Sequence, residues 1–529
     1  MVKNNQQQVV ILPEGYSRTQ KRDAQQNNIM AAKLVSETIR TTLGPKGMDK
    51  MLVDGGGNVV ITNDGVTILK EMAIEHPAAK MIVEIAKTQE EEVGDGTTTA
   101  VVIAGALLKK AEDLLEQKIH PTVITKGYTM ACNKAIELLK GMSTEINTDE
   151  ESMLVKLAKT CVSTKAPAES KILVQALVKA VLKIKEGDTL NTNHIKIQKK
   201  VGKSVDDSEL ISGLIIDKQR VSTSMPKKVI SAKIALISNA FEIEKTEVEA
   251  KISISSPDQL GLFLEQEENM IKSMVDKVIK SGASVVFCQR GMEEIATHFL
   301  AKNNIFAIKN VSKQDMELLA QSTGAKVIKS FDELSPLDLG SAGVVEEVKI
   351  GNDDITFIRE CSNPKAVSLL IRGATEHVID EVERSVEDAI GVLKSVIEDK
   401  TVVAGGGATE IAISKGLIKY AETLEGREQL AVRAFAEALE SIPKTLAENA
   451  GLDPIDMIVG IKSAQEAGKF WTGVGVFSGK PTDMMSSGVI EPARIKSQAI
   501  QSASEVAVMI LRIDDVIAAG KLSDAPAGM

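Results

Sequence analysis

Apolar residues recur at helical spacing from Asn28 to Thr42 (Ile29, Ala32, Val35, Ile39), and the pattern stops at Gly44-Pro45. It predicts a helix running into a loop. Two more helical patterns, His76 to Glu92 and Thr97 to Gln117, are rich in Ala, Val and Leu, and a third from His120 to Met142 carries Pro121 in its first turn, where a missing N–H costs nothing. The chain up to Met142 therefore reads as predominantly helical. Ahead of it, residues 1–25 are polar and Gln/Asn-rich except for Val9 to Leu12, which predicts either disorder or a short strand added to a neighbour.

The pattern changes at Ser231. Short apolar runs at Ile234 to Ile237, Ser284 to Cys288, Ile305 to Ile308 and Lys326 to Ile328 read as strands, alternating with helical patterns at Asn269 to Lys280, Glu293 to Lys302 and Gln314 to Ser322. Such alternation predicts a separate α/β domain. Ser312, three residues before Asp315, is a plausible helix cap. Val367 to Ile371 then predicts a strand that passes through Gly373 into an acidic helix, Glu376 to Glu398. After Gly405 the chain turns Ala-rich and helical again, and no solenoid-like repeat recurs.

At 529 residues the chain exceeds the size at which one core keeps growing, so several domains are expected. Aromatic residues are only 3% of the chain, which makes the cores aliphatic. A net charge of -10 argues against broad capture of nucleic acid. Cys132, Cys161, Cys288 and Cys361 form no CxxC pair and read as reduced thiols. No leader-like start and no apolar run of spanning length is visible, so a cytoplasmic protein away from membranes is expected.

Four loops containing Gly sit at breaks between regular elements, where function gathers. Thr42-Leu43-Gly44-Pro45-Lys46-Gly47 follows a helix and lacks Walker spacing. Asn63-Asp64-Gly65 places an acid at a turn, fit either for a hydrated Mg²⁺ or for an ordinary hairpin. Gly94-Asp95-Gly96-Thr97-Thr98-Thr99 opens a helix whose free N–H groups and dipole suit phosphate. Asp95 would repel that phosphate unless a cation lay between them, so this loop reads either as a phosphate and Mg²⁺ site or as a locally capped helix start. Ala404-Gly405-Gly406-Gly407-Ala408 offers bare backbone to a base or ribose. From the residues alone, Asp388 reads as an exposed acid beside Glu381, Glu383 and Glu387.

The ordered strings TLGPKGMDKML, NDGVTIL, GDGTTTA, VEDAI, VAGGG and GVIEPARIKSQAI, between Thr42 and Ile500, closely resemble group II chaperonins of the archaeal thermosome type, related to the eukaryotic cytosolic chaperonin. The resemblance implies ATP and Mg²⁺ as cofactors. Leu43, Gly44 and Pro45, with Asp95, Gly96, Thr97, Thr98 and Thr99, would cradle the phosphates, and Asp95 would ligate the metal. Asp64 and Asp388 would be the catalytic acids that share the attacking water. Gly405, Gly406, Gly475 and Glu491 would surround ribose and base, and Lys165 would sense the terminal phosphate.

The same resemblance implies a multidomain α and α/β chaperonin fold. Its helical equatorial domain would be made of 1–147 and 403–529, and its small intermediate domain of 148–216 and 367–402. The α/β apical domain would span 217–366, with a helical protrusion at about 241–269 serving as a built-in lid. Gly141, Gly213, Gly373 and Gly405, near the crossings between domains, read either as hinges or as turn glycines. The implied function is an ATPase chaperone that encloses unfolded protein clients in a double ring of about eight or nine subunits per ring, homo- or hetero-oligomeric. Ile295, Phe299 and Leu300 would offer clients an apolar face, although core packing explains them too. The rival readings are an ATP-dependent small-molecule enzyme and a non-hydrolysing scaffold. Trp471 and the Met484-Met485 pair read as packing near the nucleotide-binding domain.

Overall fold

The computed structural model describes residues 16–163, 171–242, 257–351, 353–362 and 365–519. Two compact units emerge: Met1–Ile146 with Ser163–Lys165 and Asp399–Met529, and Asn147–Val162 with Ala166–Glu398.

The first unit is built on long helices, because apolar residues at spacing three and four give each a broad buried face. Helix Thr97–Glu116 buries Ala100, Val101, Val102, Ile103, Ala104, Leu107 and Leu108, each Val, Leu or Ile contributing about 1.5–3 kcal/mol. It packs against Lys21–Arg40, Pro77–Val93, Glu428–Leu439 and Ala493–Leu511, so both chain ends share one core. Tyr128 lies inside it with its hydroxyl donating to the Leu107 carbonyl at 2.8 Å and its ring edge-on to Phe435. The first helix begins at Lys21, within a stretch whose polarity predicts no helix. Ala24 and Asn28 are buried there, and strand Tyr16–Gln20 just before it pairs antiparallel with Asp515–Ala519. Tertiary anchoring overrides a weak local signal. Val9 to Leu12 lie outside the described residues.

The second unit carries a seven-stranded sheet. Its order runs Phe306–Ile308, Val285–Cys288, Lys228–Ile237, Gly340–Ile350, Asp353–Cys361 and Gly213–Ile216, with Val327–Ile328 also pairing Lys228–Ile237. The first three are parallel (Ile234 opposite Val285, Phe306 opposite Val285) and the next joins antiparallel (Gly340 opposite Ile234). Alternate residues feed opposite faces: Ile234 and Leu236 enter one apolar cluster, Ala235 and Ile237 the other. Helices Pro257–Ser281 and Glu294–Lys302 cover the second face through Ile271, Val275, Val278, Ala296 and Leu300. The long hairpin Gly340–Ile350 and Asp353–Cys361 has no counterpart in the predicted strands. Charged residues break its alternation, yet Glu347 is buried because the Arg220 backbone N–H donates to it at 2.9 Å and the Arg220 guanidinium lies 3.4 Å away.

A separate three-stranded sheet places Val367–Gly373, wholly buried, between Ile195–Val201 (parallel) and Glu209–Ile211 (antiparallel). It leads into helix Glu376–Asp399. Ser312 caps its helix as expected, accepting from the Asp315 N–H at 3.0 Å. Gly213, a candidate hinge, has a packing reason instead: a Cβ there would meet the Ile358 carbonyl at 2.0 Å. Most of the expected protrusion, 243–256, and Lys165 lie outside the described residues. Phe241, at the protrusion's root, is fully buried against Phe331. Of the apolar trio on Glu294–Lys302, Ile295 is exposed, while Leu300 belongs to the core and is no surface residue. The four cysteines are free thiols. Among the described residues no helix is long and apolar enough to cross a membrane.

Candidate nucleotide site

Four loops of the first unit lie along one unbroken run of contacts. It starts at Gly44, whose φ of +85° turns the chain after helix Lys21–Arg40. A Cβ there would fall 2.4 Å from Leu446 Cδ2, and the Leu43 carbonyl accepts from Asn449 Nδ2 at 2.9 Å. Both partners belong to helix Ser441–Asn449. Pro443 of the same helix abuts Gly407, where an added Cβ would lie 2.5 Å from the Pro443 Cβ. The glycine triplet in turn meets two later segments: the Val474 N–H donates to the Gly406 carbonyl at 2.8 Å and the Gly405 N–H to the Val489 carbonyl at 3.0 Å. Gly475 closes the short strand Thr472–Gly475 beside them. Bare backbone at Gly405 admits the Glu491 carboxylate, whose Oε1 would sit 2.5 Å from any Cβ placed there.

From Glu491 the run continues through Lys496, which salt-bridges it at 2.7 Å, to Ile495. The Ile495 Cγ2 lies 2.7 Å from where a Cβ on Gly96 would stand. Gly94 and Gly96 hold φ of +76° and +81°, so the chain reverses tightly around Asp95, a conformation that L side chains pay for in strain. Asp95 Oδ1 accepts from the Gly96 N–H at 2.6 Å. No side chain caps Gly96, which leaves the first-turn N–H groups of helix Thr97–Glu116 for an anion. Thr97 and Thr98 close the run on the second loop: a Cβ on Gly65 would meet the Thr98 and Thr97 hydroxyls at 2.7 and 3.2 Å. Thr99 follows in the same first turn.

Asp64 is neither a hairpin residue nor exposed. It caps helix Gly65–Glu71, with Oδ2 accepting from the Thr67 N–H at 2.9 Å and the Thr67 hydroxyl at 2.8 Å, and is only 5% exposed. Asp388 lies half-buried on helix Glu376–Asp399 in the other unit. Trp471, Met484 and Met485 pack with Ala404 and Ala408 around the glycine triplet, as expected.

Three residues with no role in the sequence reading prove central. Gln89, fully buried, donates through Nε2 to the Asp95 carbonyl at 2.9 Å and the Ile495 carbonyl at 3.2 Å, tying the Asp95 loop to helix Ala493–Leu511. Replacing Gln89 by Leu orphans two carbonyls and is expected to cost about 2–4 kcal/mol, read as a lower unfolding midpoint. Gln89→Glu, which turns a carboxylate on the same carbonyls, should cost more. Glu410 and Lys496 form the other pair, at 2.7 Å. The only sequence signal for either was a charge inside an otherwise apolar helical stretch.

Electrostatically the acids compete. Burial raises the Glu491 carboxyl above its usual range, Lys496 opposes this, and Glu410 and Asp95 push it up again. Burial alone would lower the Lys496 amine, but Glu410 and Glu491 override it and hold the amine above its usual range. No group of three or more His, Cys, Asp or Glu able to hold a metal occurs among the described residues. A cation beside Asp95 would thus take its other ligands from phosphate and water, the habit of Mg²⁺, so this oxygen-donor setting fits that ion.

Within the helical unit, glycine turns, an uncapped helix start and four acids, Asp64, Asp95, Glu410 and Glu491, thus lie along one run of contacts. The profile of the TCP-1/cpn60 chaperonin family matches residues 35–521. The chain is 55% identical over 528 residues to the thermosome subunit of Methanopyrus kandleri, covering 99% of this chain and 97% of that one. It is 56% identical over 525 residues to thermosome subunit beta of Methanothermobacter thermautotrophicus (99% and 97%), and 56% over 522 residues to the thermosome subunit of Pyrococcus horikoshii (98% and 95%). The chain belongs to the TCP-1/cpn60 chaperonin family, as a group II chaperonin subunit. It is a molecular chaperone that hydrolyses ATP.

Proposed function

We propose that one ATP lies along this run of contacts, with its phosphates at Leu43, Gly44, Pro45 and Asp95 to Thr99 and its ribose and base at Gly405, Gly406, Gly475 and Glu491. Mg²⁺, held by Asp95, would supply charge neutralisation for the phosphates. The uncapped helix start donates N–H groups to phosphate oxygens, and the threonine hydroxyls add donors there. Asp64, fixed by Thr67, orients the attacking water as a hydrogen-bond acceptor, and Asp388 is the second acid assigned to that water. Lys165 senses the terminal phosphate. The observation that carries this reading is the unbroken run of contacts from Gly44 to Gly65, which joins segments four hundred residues apart.

At the level of the particle, the subunits form a double ring of eight or nine per ring that encloses unfolded proteins. The segment around 241–269 acts as the built-in lid, with residues 217–366 as the client-binding part. Relatives named as thermosome subunits over nearly the full chain support this assembly. Electron micrographs of the purified protein with ATP are expected to show stacked rings, and unfolded client should be retained in them. A monomer or dimer that hydrolyses ATP would favour the small-molecule enzyme instead.

A further inference from the structure

We propose that Lys496 is a positioning residue that sets the preference of the nucleotide site for a ribose over a deoxyribose, by holding Glu491 against Gly405. The inference deepens the reading that Glu491 faces the ribose, and it rests on that reading.

The geometry is an acid–base–acid bridge centred on a buried lysine. Lys496 Nζ lies 2.7 Å from Glu410 Oε1 and 2.7 Å from Glu491 Oε2, with the lysine, Glu410 and Glu491 side chains 6%, 1% and 25% exposed. Glu410 has no hydrogen-bond partner beyond that ion pair among the described residues. Its one evident task is therefore to anchor the ammonium, since a buried, singly paired carboxylate costs more than it gains unless it serves position or specificity. The anchored ammonium takes one oxygen of Glu491, and the other, Oε1, faces the bare backbone of Gly405. A carboxylate so oriented only accepts hydrogen bonds, and its charge strengthens those it accepts. Vicinal hydroxyls of a ribose are the donors that fit it. Glu410 and Lys496 sit on helices Ala408–Glu422 and Ala493–Leu511, and Glu491 on strand Ile490–Pro492, so rigid elements fix all three.

Without the ammonium, the buried Glu410 and the half-buried Glu491 lose the cation that lies between them, and Glu491 loses the partner that fixes its orientation. Lys496→Met in the assembled full-length protein is therefore expected to reduce the affinity ratio of ATP to 2′-deoxy- and 3′-deoxy-ATP by roughly tenfold, measured by calorimetric titration. Because Lys496→Met strands two acids, the double variant Lys496→Met with Glu410→Gln provides a better balanced fold and should show the same loss of discrimination. Glu491→Gln tests the underlying reading. If it erodes the ratio while both Lys496 variants keep the wild-type ratio, the positioning role is overturned and the ribose assignment stands. If Glu491→Gln leaves the ratio unchanged, the ribose assignment falls, and the role of Lys496 with it.

Discussion

Asp388→Ala is expected to lower ATP turnover by about 10²–10⁴ while leaving ATP affinity within a few-fold of wild type. Phosphoryl transfer to water leaves the protein little covalent work, so catalysis consists of placing the water in line and accepting its proton. A carboxylate assigned to that task acts in the transition state and contributes little to ground-state binding. Its loss should therefore appear in kcat and scarcely in KM. The substitution is also mild for the fold. Asp388 is half-buried on a helix that Ile379, Val382, Val386, Ala389, Leu393 and Val396 anchor in the core, and Ala is the best helix former. Single-turnover hydrolysis with equilibrium ATP binding separates the two effects. Unchanged turnover would remove Asp388 from the reaction.

The sequence carried some of this better than other parts, for physical reasons. Helices such as Thr97–Glu116 were legible because a long apolar face repeats the same spacing many times. Short central strands such as Val285–Cys288 were legible as apolar runs bounded by breaks. The hairpin Gly340–Ile350 and Asp353–Cys361 was not, because Glu347 is neutralised by Arg220, more than a hundred residues away in sequence, and pattern reading sees no such partner. The start of the first helix failed likewise, since its support comes from strand Asp515–Ala519 at the far end of the chain.

The site followed the same rule. Glycine turns announce themselves locally, and the loops at Gly44, Asp64, Asp95 and Gly405 were found that way. What each touches was not local: Asp64 read equally well as a hairpin residue until Thr67 capped the argument for a helix start. Gln89 has no local signature, and Glu410 and Lys496 have only a charge inside an otherwise apolar helical stretch. Their meaning is a set of contacts, Gln89 with the Asp95 and Ile495 carbonyls and Lys496 with two acids, that exists only once the chain ends have met.

Asp95→Ala should abolish most of the Mg²⁺ dependence of ATP binding, and the sign of the change is the informative part. In the wild type, a carboxylate about 5 Å from a phosphate, at an effective dielectric of about 20, costs about 3 kcal/mol per unit charge. ATP alone should therefore bind on the order of a hundredfold more weakly than ATP with Mg²⁺. Removing the carboxylate removes both the repulsion and the ligand. The variant should bind metal-free ATP more tightly than wild type does, and gain little when Mg²⁺ is added. Loss of the bond from the Gly96 N–H to Asp95 Oδ1 works in the same direction, because it frees one more donor for phosphate at the helix start. Turnover should nevertheless fall by at least a hundredfold, since tighter ground-state binding without charge neutralisation in the transition state does not accelerate the reaction. ATP titrations of both proteins with Mg²⁺ and with chelator provide all four affinities. A variant that keeps the wild-type response to Mg²⁺ would show that the metal is held elsewhere.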